Sequence, residues 1–77
     1  MNLRDYVQFD LSNFPINQVV RVERKQDTIV IVSVVEGHSF FYSDSEHIVD
    51  AFVNRWKDEV FYPAIERDAA KITLEAC

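Results

Sequence analysis

The side chains able to do chemistry near neutral pH are few: His38, His47, the terminal Cys77 and four central serines, set among 13 acidic residues. His47 with Glu46 and Asp50 would bring three candidate ligands onto about one helical turn, because residues three apart share a face. A protein metal site needs three or four converging ligands, and no cysteine is near enough in sequence to help. His47 therefore reads as a solvated residue in the first turn of a helix. His38 follows a glycine turn and reads as an exposed strand residue. Ser33, Ser39, Ser43 and Ser45 lack the glycine-framed strand–turn–helix setting of an activated nucleophile. One glycine, Gly37, leaves no phosphate-cradling loop to build. The acid pairs Asp58-Glu59 and Glu66-x-Asp68 point apart on a helix and solvate its surface. These residues predict no enzyme, no cofactor and no metal.

Charge narrows the partners. The net charge is −5, and it is uneven: residues 1–37 hold four basic and five acidic groups, residues 38–77 four and eight. Binding to a nucleic-acid backbone draws on cations that replace counterions, so this field argues against direct nucleic-acid contact. The one basic cluster, Arg21, Arg24 and Lys25, is interrupted by Glu23. The long helix begins Asp44-Ser45-Glu46 where a double-stranded-RNA domain would carry lysines, and no GXXG loop is present. An acidic surface instead suits a protein partner with a basic surface, or solubility alone. The single cysteine permits no internal disulfide, the first residues lack a signal-peptide pattern, and no apolar run approaches the ~20 residues of a membrane span. The expected location is the cytoplasm, away from membranes.

The elements that must position these groups follow from periodicity. With 77 residues, 48% hydrophobic, the chain is one domain, 1–77, with a core near the lower limit of independent stability. Val19–Arg24, Thr28–Val35 and His38–Tyr42 read as three strands of an antiparallel meander, with Gln26-Asp27 and Glu36-Gly37 as turns. Tyr6 to Leu11 alternates weakly and offers a fourth, N-terminal edge strand. Ser43-Asp44-Ser45-Glu46 has capping-box spacing, so a helix starts there. Its apolar stripe is Ile48, Val49, Phe52, Val53, Trp56 and Val60, with Asp50, Asn54, Lys57 and Asp58 opposite. Pro63 ends or kinks it near Phe61-Tyr62. Ala64 to Leu74, with Ile65, Ala69 and Ile72 spaced together, reads as a short C-terminal helix. The predicted fold is α+β, a three- to four-stranded antiparallel sheet packed on one long helix and followed by that short one.

The run Thr28 to Val35 is apolar on both sides, so register decides which side is core. Two-residue turns at Gln26-Asp27 and Glu36-Gly37 align Val22, Ile31 and Tyr42, and Val20, Ser33 and Phe40, on a face with Ile29 and Val35. That face is expected beneath the long helix. A one-residue change in the first turn would set Arg21 and Glu23 beside that core stripe, burying charge. The second face, Val30, Val32, Val34 and Phe41 with Arg21 at its margin, is then either covered by the N-terminal segment or the second helix, or left as a binding surface. A further surface is the acidic side of the helices: Asp50, Asp58 and Glu66 beside the aromatics Phe61 and Tyr62. The expected function is that of a small, acidic, cytoplasmic protein that binds another protein as an inhibitor or adaptor, in the sharpest form by imitating nucleic acid and blocking a nucleic-acid-binding enzyme in the manner of phage inhibitors. The alternative is a structural homodimer joined through the second sheet face.

Overall fold

The computed structural model describes residues 6–68 and 71–76. They form an α+β fold with strands β1 (Val19–Gln26), β2 (Ile29–Val34) and β3 (Ser39–Ser43), helix α1 (Glu46–Trp56), helix α2 (Tyr62–Glu66) and strand β4 (Thr73–Ala76). A π-helical turn, Lys57–Phe61, joins α1 to α2 into one long helix. The sheet order is β3-β2-β1-β4, antiparallel between β1, β2 and β3 but parallel between β1 and β4. β3 and β4 therefore run the same way, and the long helix is the crossover between them.

Three expectations are corrected here. The sheet is mixed, with its fourth strand at the C-terminal end of the chain; residues 6–15 carry turns, not an edge strand, with Phe9 and Asn13 amides bonded back to Tyr6 and Asp10 carbonyls. The separate C-terminal helix is absent: Tyr62–Glu66 continues the long helix and Thr73–Ala76 is a strand. Ala69 and Cys77 lie outside the described residues. Helix formation fails past Arg67 because Asp68 adopts φ 56°, the left-handed conformation that closes helices and that aspartate tolerates better than most residues. Ile72 and Leu74 still pack against the core, Leu74 from β4 and Ile72 from the residue just before it.

The register shifts by one residue from that expected, and the reason is in the turns. Gln26 pairs with Ile29, so the first turn is Asp27-Thr28, and β1 carries two bulges, between Val19 and Arg21 and between Arg24 and Gln26. The first lets Val19 and Val22 both point inward, although three residues apart. Val34 and His38 close the second turn, with Gly37 at φ 95° in the position a three-residue hairpin loop reserves for glycine. Val22 then faces Val32, while Arg21 and Glu23 face Ser33 and Ile31.

The consequence inverts the expected core along β2, while Val22, Phe40 and Tyr42 stay inward as expected. Val30, Val32 and Val34 are fully buried with Val19 and Val22, beneath Val49, Phe52, Val53 and Trp56 of the helix. Ile29, Ile31 and Ser33 lie on the outer face, and Arg21 and Glu23 stand beside them with no charge buried. One hydroxyl favours this choice: the valine face carries no polar atom, whereas its alternative would bury Ser33 at a cost of about 1–3 kcal/mol without a partner. Outside, Ser33 and Ser39 share a hydroxyl–hydroxyl bond of 2.9 Å.

The helical stripe is as read from the sequence, with Val49, Phe52, Val53 and Trp56 buried and Ile48 and Val60 packed at its edge. Trp56 is fully buried, and its indole N–H donates to the Val19 carbonyl at the first bulge, 3.0 Å away. The cap is Ser45, not Ser43: its hydroxyl accepts from the Ile48 amide at 3.4 Å, and Ser43 belongs to β3. Pro63 neither ends nor breaks the helix. The π turn before it, closed by the Tyr62 amide on the Lys57 carbonyl, makes room for a residue that has no N–H and crowds the preceding turn. Tyr6, Leu11, Phe14 and Ile16 complete the core, with Phe14 touching the rings of Tyr6, Phe40, Tyr42 and Phe52.

Candidate binding surfaces

Two surfaces stand apart from this core. On the outer sheet face, alternation along β2 and β3 brings Ile29, Ile31 and Phe41 together; the isoleucines are half-buried and Phe41 is 66% exposed. Beside them Arg21 joins β1 to β4. Its guanidinium contacts Glu75 at 2.7 Å and Glu23 at 3.0 Å, and donates to the Thr73 hydroxyl at 2.9 Å. Lys25 contacts the other Glu23 oxygen at 2.7 Å. Lys25 first, then Arg21, holds the Glu23 carboxyl below the ordinary glutamate range, and Glu75 and Glu23 push Arg21 further up, so it stays charged. Charge on this face is matched internally.

The second surface lies where the long helix ends. Tyr62 is 49% exposed and Ile65 57%, three residues apart and so on neighbouring positions, with exposed Asp58 and Glu66 about one turn before and after Tyr62. Neither carboxylate forms an ion pair with a described residue. Other helical charges are engaged: Arg24 is ion-paired with Asp50, and Arg55 with Glu59 at 2.9 Å.

The residues singled out from the sequence are thus redistributed. Val30, Val32 and Val34 are inside, so neither a partner nor a second copy has access to them, and a homodimer built on them has no surface to use. Phe41 and Arg21 stay on an open face, but the opposite one. Asp50 is occupied by Arg24. Phe61 is half-buried and stacks on Trp56 with ring centres 5.4 Å apart, a consequence of the π turn carrying it toward the core. Asp58, Tyr62 and Glu66 remain exposed and adjacent. Ile65 was expected on an apolar face; extending the Val49–Phe52–Val53–Trp56–Val60 rhythm through the helix would have placed Ala64 inward instead, and Ala64 is the buried one.

His47 is exposed, and His38 is half-buried with its ring edge-on to Phe40 at 6.4 Å. Among the described residues, no group of three or more histidines, cysteines or acids could hold a metal, and no helix is long and apolar enough to cross a membrane. A groove of about 210 Å³ lies between Leu11, Ser12, Ile48, Ala51, Phe52 and Arg55, its single charge tied to Glu59. Near the chain start, the Tyr6 hydroxyl donates to Glu36 at 2.8 Å and holds that carboxyl below its ordinary range. Burial, with Asp10 nearby, pushes the Tyr42 hydroxyl up, and it donates to the Phe9 carbonyl at 3.2 Å. No protein family, curated protein or solved structure matches this chain.

Proposed function

We propose that this is a non-enzymatic protein-binding protein, an inhibitor or adaptor, whose helical end engages a partner with a basic surface. The observation that carries the reading is the pair Tyr62 and Ile65, exposed side by side between carboxylates that no described cation neutralises. An aromatic and an aliphatic anchor supply contact area, and unmatched acids steer a cationic partner toward it. The net charge of −5 adds long-range attraction of the same sign. The outer sheet face is less suited to a basic partner, because Glu23 and Glu75 are already neutralised by Arg21 and Lys25.

A photo-crosslinking residue placed at position 62 in the native host would trap the partner, which is then purified and titrated against the intact protein. Tyr62→Ala is expected to weaken that binding by roughly 30-fold, the scale of a hot-spot residue. D58K/E66K is expected to weaken it further and to abolish its salt dependence. Binding unchanged by both variants would exclude the helical end as the site.

A further inference from the structure

Among the described residues, no strand guards the outer edge of β3. The Val34 amide donates to the His38 carbonyl at 2.9 Å and the Asp44 amide to the Thr28 carbonyl at 3.0 Å. Antiparallel ladders alternate, so the backbone groups of Phe40 and Tyr42 face β2 while those of Ser39, Phe41 and Ser43 face away. β3 is last in the sheet order, and no described strand lies beyond it. Natural edges are blunted by charge, proline or bulges. The stretch Ser39-Phe40-Phe41-Tyr42-Ser43 has none of the three, and its pairing with β2 is free of register shifts, whereas β1 has two.

We infer that β3 pairs antiparallel with β3 of a second copy of this chain, about a two-fold axis at Phe41, joining two four-stranded sheets into one. The strand is a palindrome by residue class: serine, aromatic, Phe41, aromatic, serine. A two-fold at its centre sets Phe41 against Phe41 and Ser39 against Ser43, and each such pair exchanges both backbone hydrogen bonds through the outward groups. Every outward N–H and C=O of the strand is used, which a pairing offset by two residues does not achieve. No like charges meet within the strand, and just outside it the same operation sets His38 opposite Asp44. The interface is isologous and closed, so it stops at a dimer. It also lies on the far side of the sheet order from β4 and uses neither Tyr62 nor Ile65, so it stands independently of the helical site.

Charge exchange across the axis tests the register. The intact protein is expected to show twice its chain mass by light scattering across the micromolar to millimolar range, with concentration-dependent exchange protection at the Ser39, Phe41 and Ser43 amides. S39K/S43K places lysine opposite lysine and is expected to halve the mass while leaving the circular dichroism unchanged. S39K/S43E places lysine opposite glutamate and is expected to restore the dimer. A monomer at every concentration overturns the proposal, whether the edge then meets solvent or another segment of the chain. So does a dimer that survives S39K/S43K, or one in which the Phe41 amide exchanges as an open one.

Discussion

The two faces of β2 differ little in composition and completely in fate. Val30, Val32 and Val34 are fully buried under the helix, while Ile29 and Ile31, the larger and more apolar side chains, are left half-exposed beside Arg21 and Glu23. Hydrophobicity alone would choose the isoleucines. Their face, however, includes Ser33 and borders charged residues of β1, whereas the valine face is clean along its length. The contrast teaches that a core is selected by the costliest group it must exclude, here a hydroxyl and a row of charges, and less by the sum of its apolar area.

Paired substitutions on adjacent residues break this comparison most severely. Val32→Asp leaves a carboxylate buried without a partner, a cost of several kcal/mol against a total of about 5 kcal/mol for so small a domain, and the variant is expected to be unfolded by circular dichroism. Ile31→Asp is expected to stay folded and lose about 1 kcal/mol in urea denaturation, since it points outward. The reverse outcome would exchange the two faces. Next in size is Trp56→Phe, which empties buried volume and orphans the Val19 carbonyl at the bulge; about 2 kcal/mol is expected, with the outer face untouched.

Gly37→Ala tests the turn that fixes the register. A Cβ there meets nothing within 4 Å, so the expected loss of about 1 kcal/mol comes from φ 95° alone. The smallest effect belongs to the outer face. Glu23 is held below its ordinary value of 4.5, so its contribution to stability is present above that pH and lost as pH falls through the lower folded value. Lys25→Ala is expected to raise the Glu23 midpoint toward 4.5 in an NMR titration and to flatten the acid limb of the stability curve. A midpoint unmoved by that change would mean that Arg21 alone sets it.

Much of the molecule was legible in advance, and the failures share a cause. The three-strand meander, the positive φ at Gly37 and the buried stripe from Val49 to Trp56 follow from local rules: alternation, glycine's freedom and helical period. The bulges in β1 have no such signature, since every residue of Val19–Gln26 accepts a regular strand. Together with a second turn of three residues they set the register one residue away from that of two tight turns, and with a period of two that single step exchanges core for surface along β2. The π turn was likewise hidden: Pro63 signals a defect in the helix, but whether the chain breaks, kinks or widens depends on what Phe61 gains by stacking on Trp56. The candidate site inherited both errors. Asp58, Tyr62 and Glu66 are exposed as expected, Phe61 is not, and Phe41, exposed, and Arg21, half-buried, lie on the face opposite the valines they were grouped with.

By itself the sequence determined the three meander strands and the long helix, the apolar side of that helix, the acidic balance and the place of the one obligatory glycine, because each depends on neighbours within a few residues. Tertiary structure alone decided that β4 runs parallel to β1, that Val30, Val32 and Val34 are core, and that Asp50 is spent on Arg24 while Asp58 and Glu66 stay unmatched by any described cation. These are contests between near-equal alternatives, separated by a hydroxyl's desolvation, a bulge or an ion pair between residues distant in sequence, and only packing of the whole chain sets one against another.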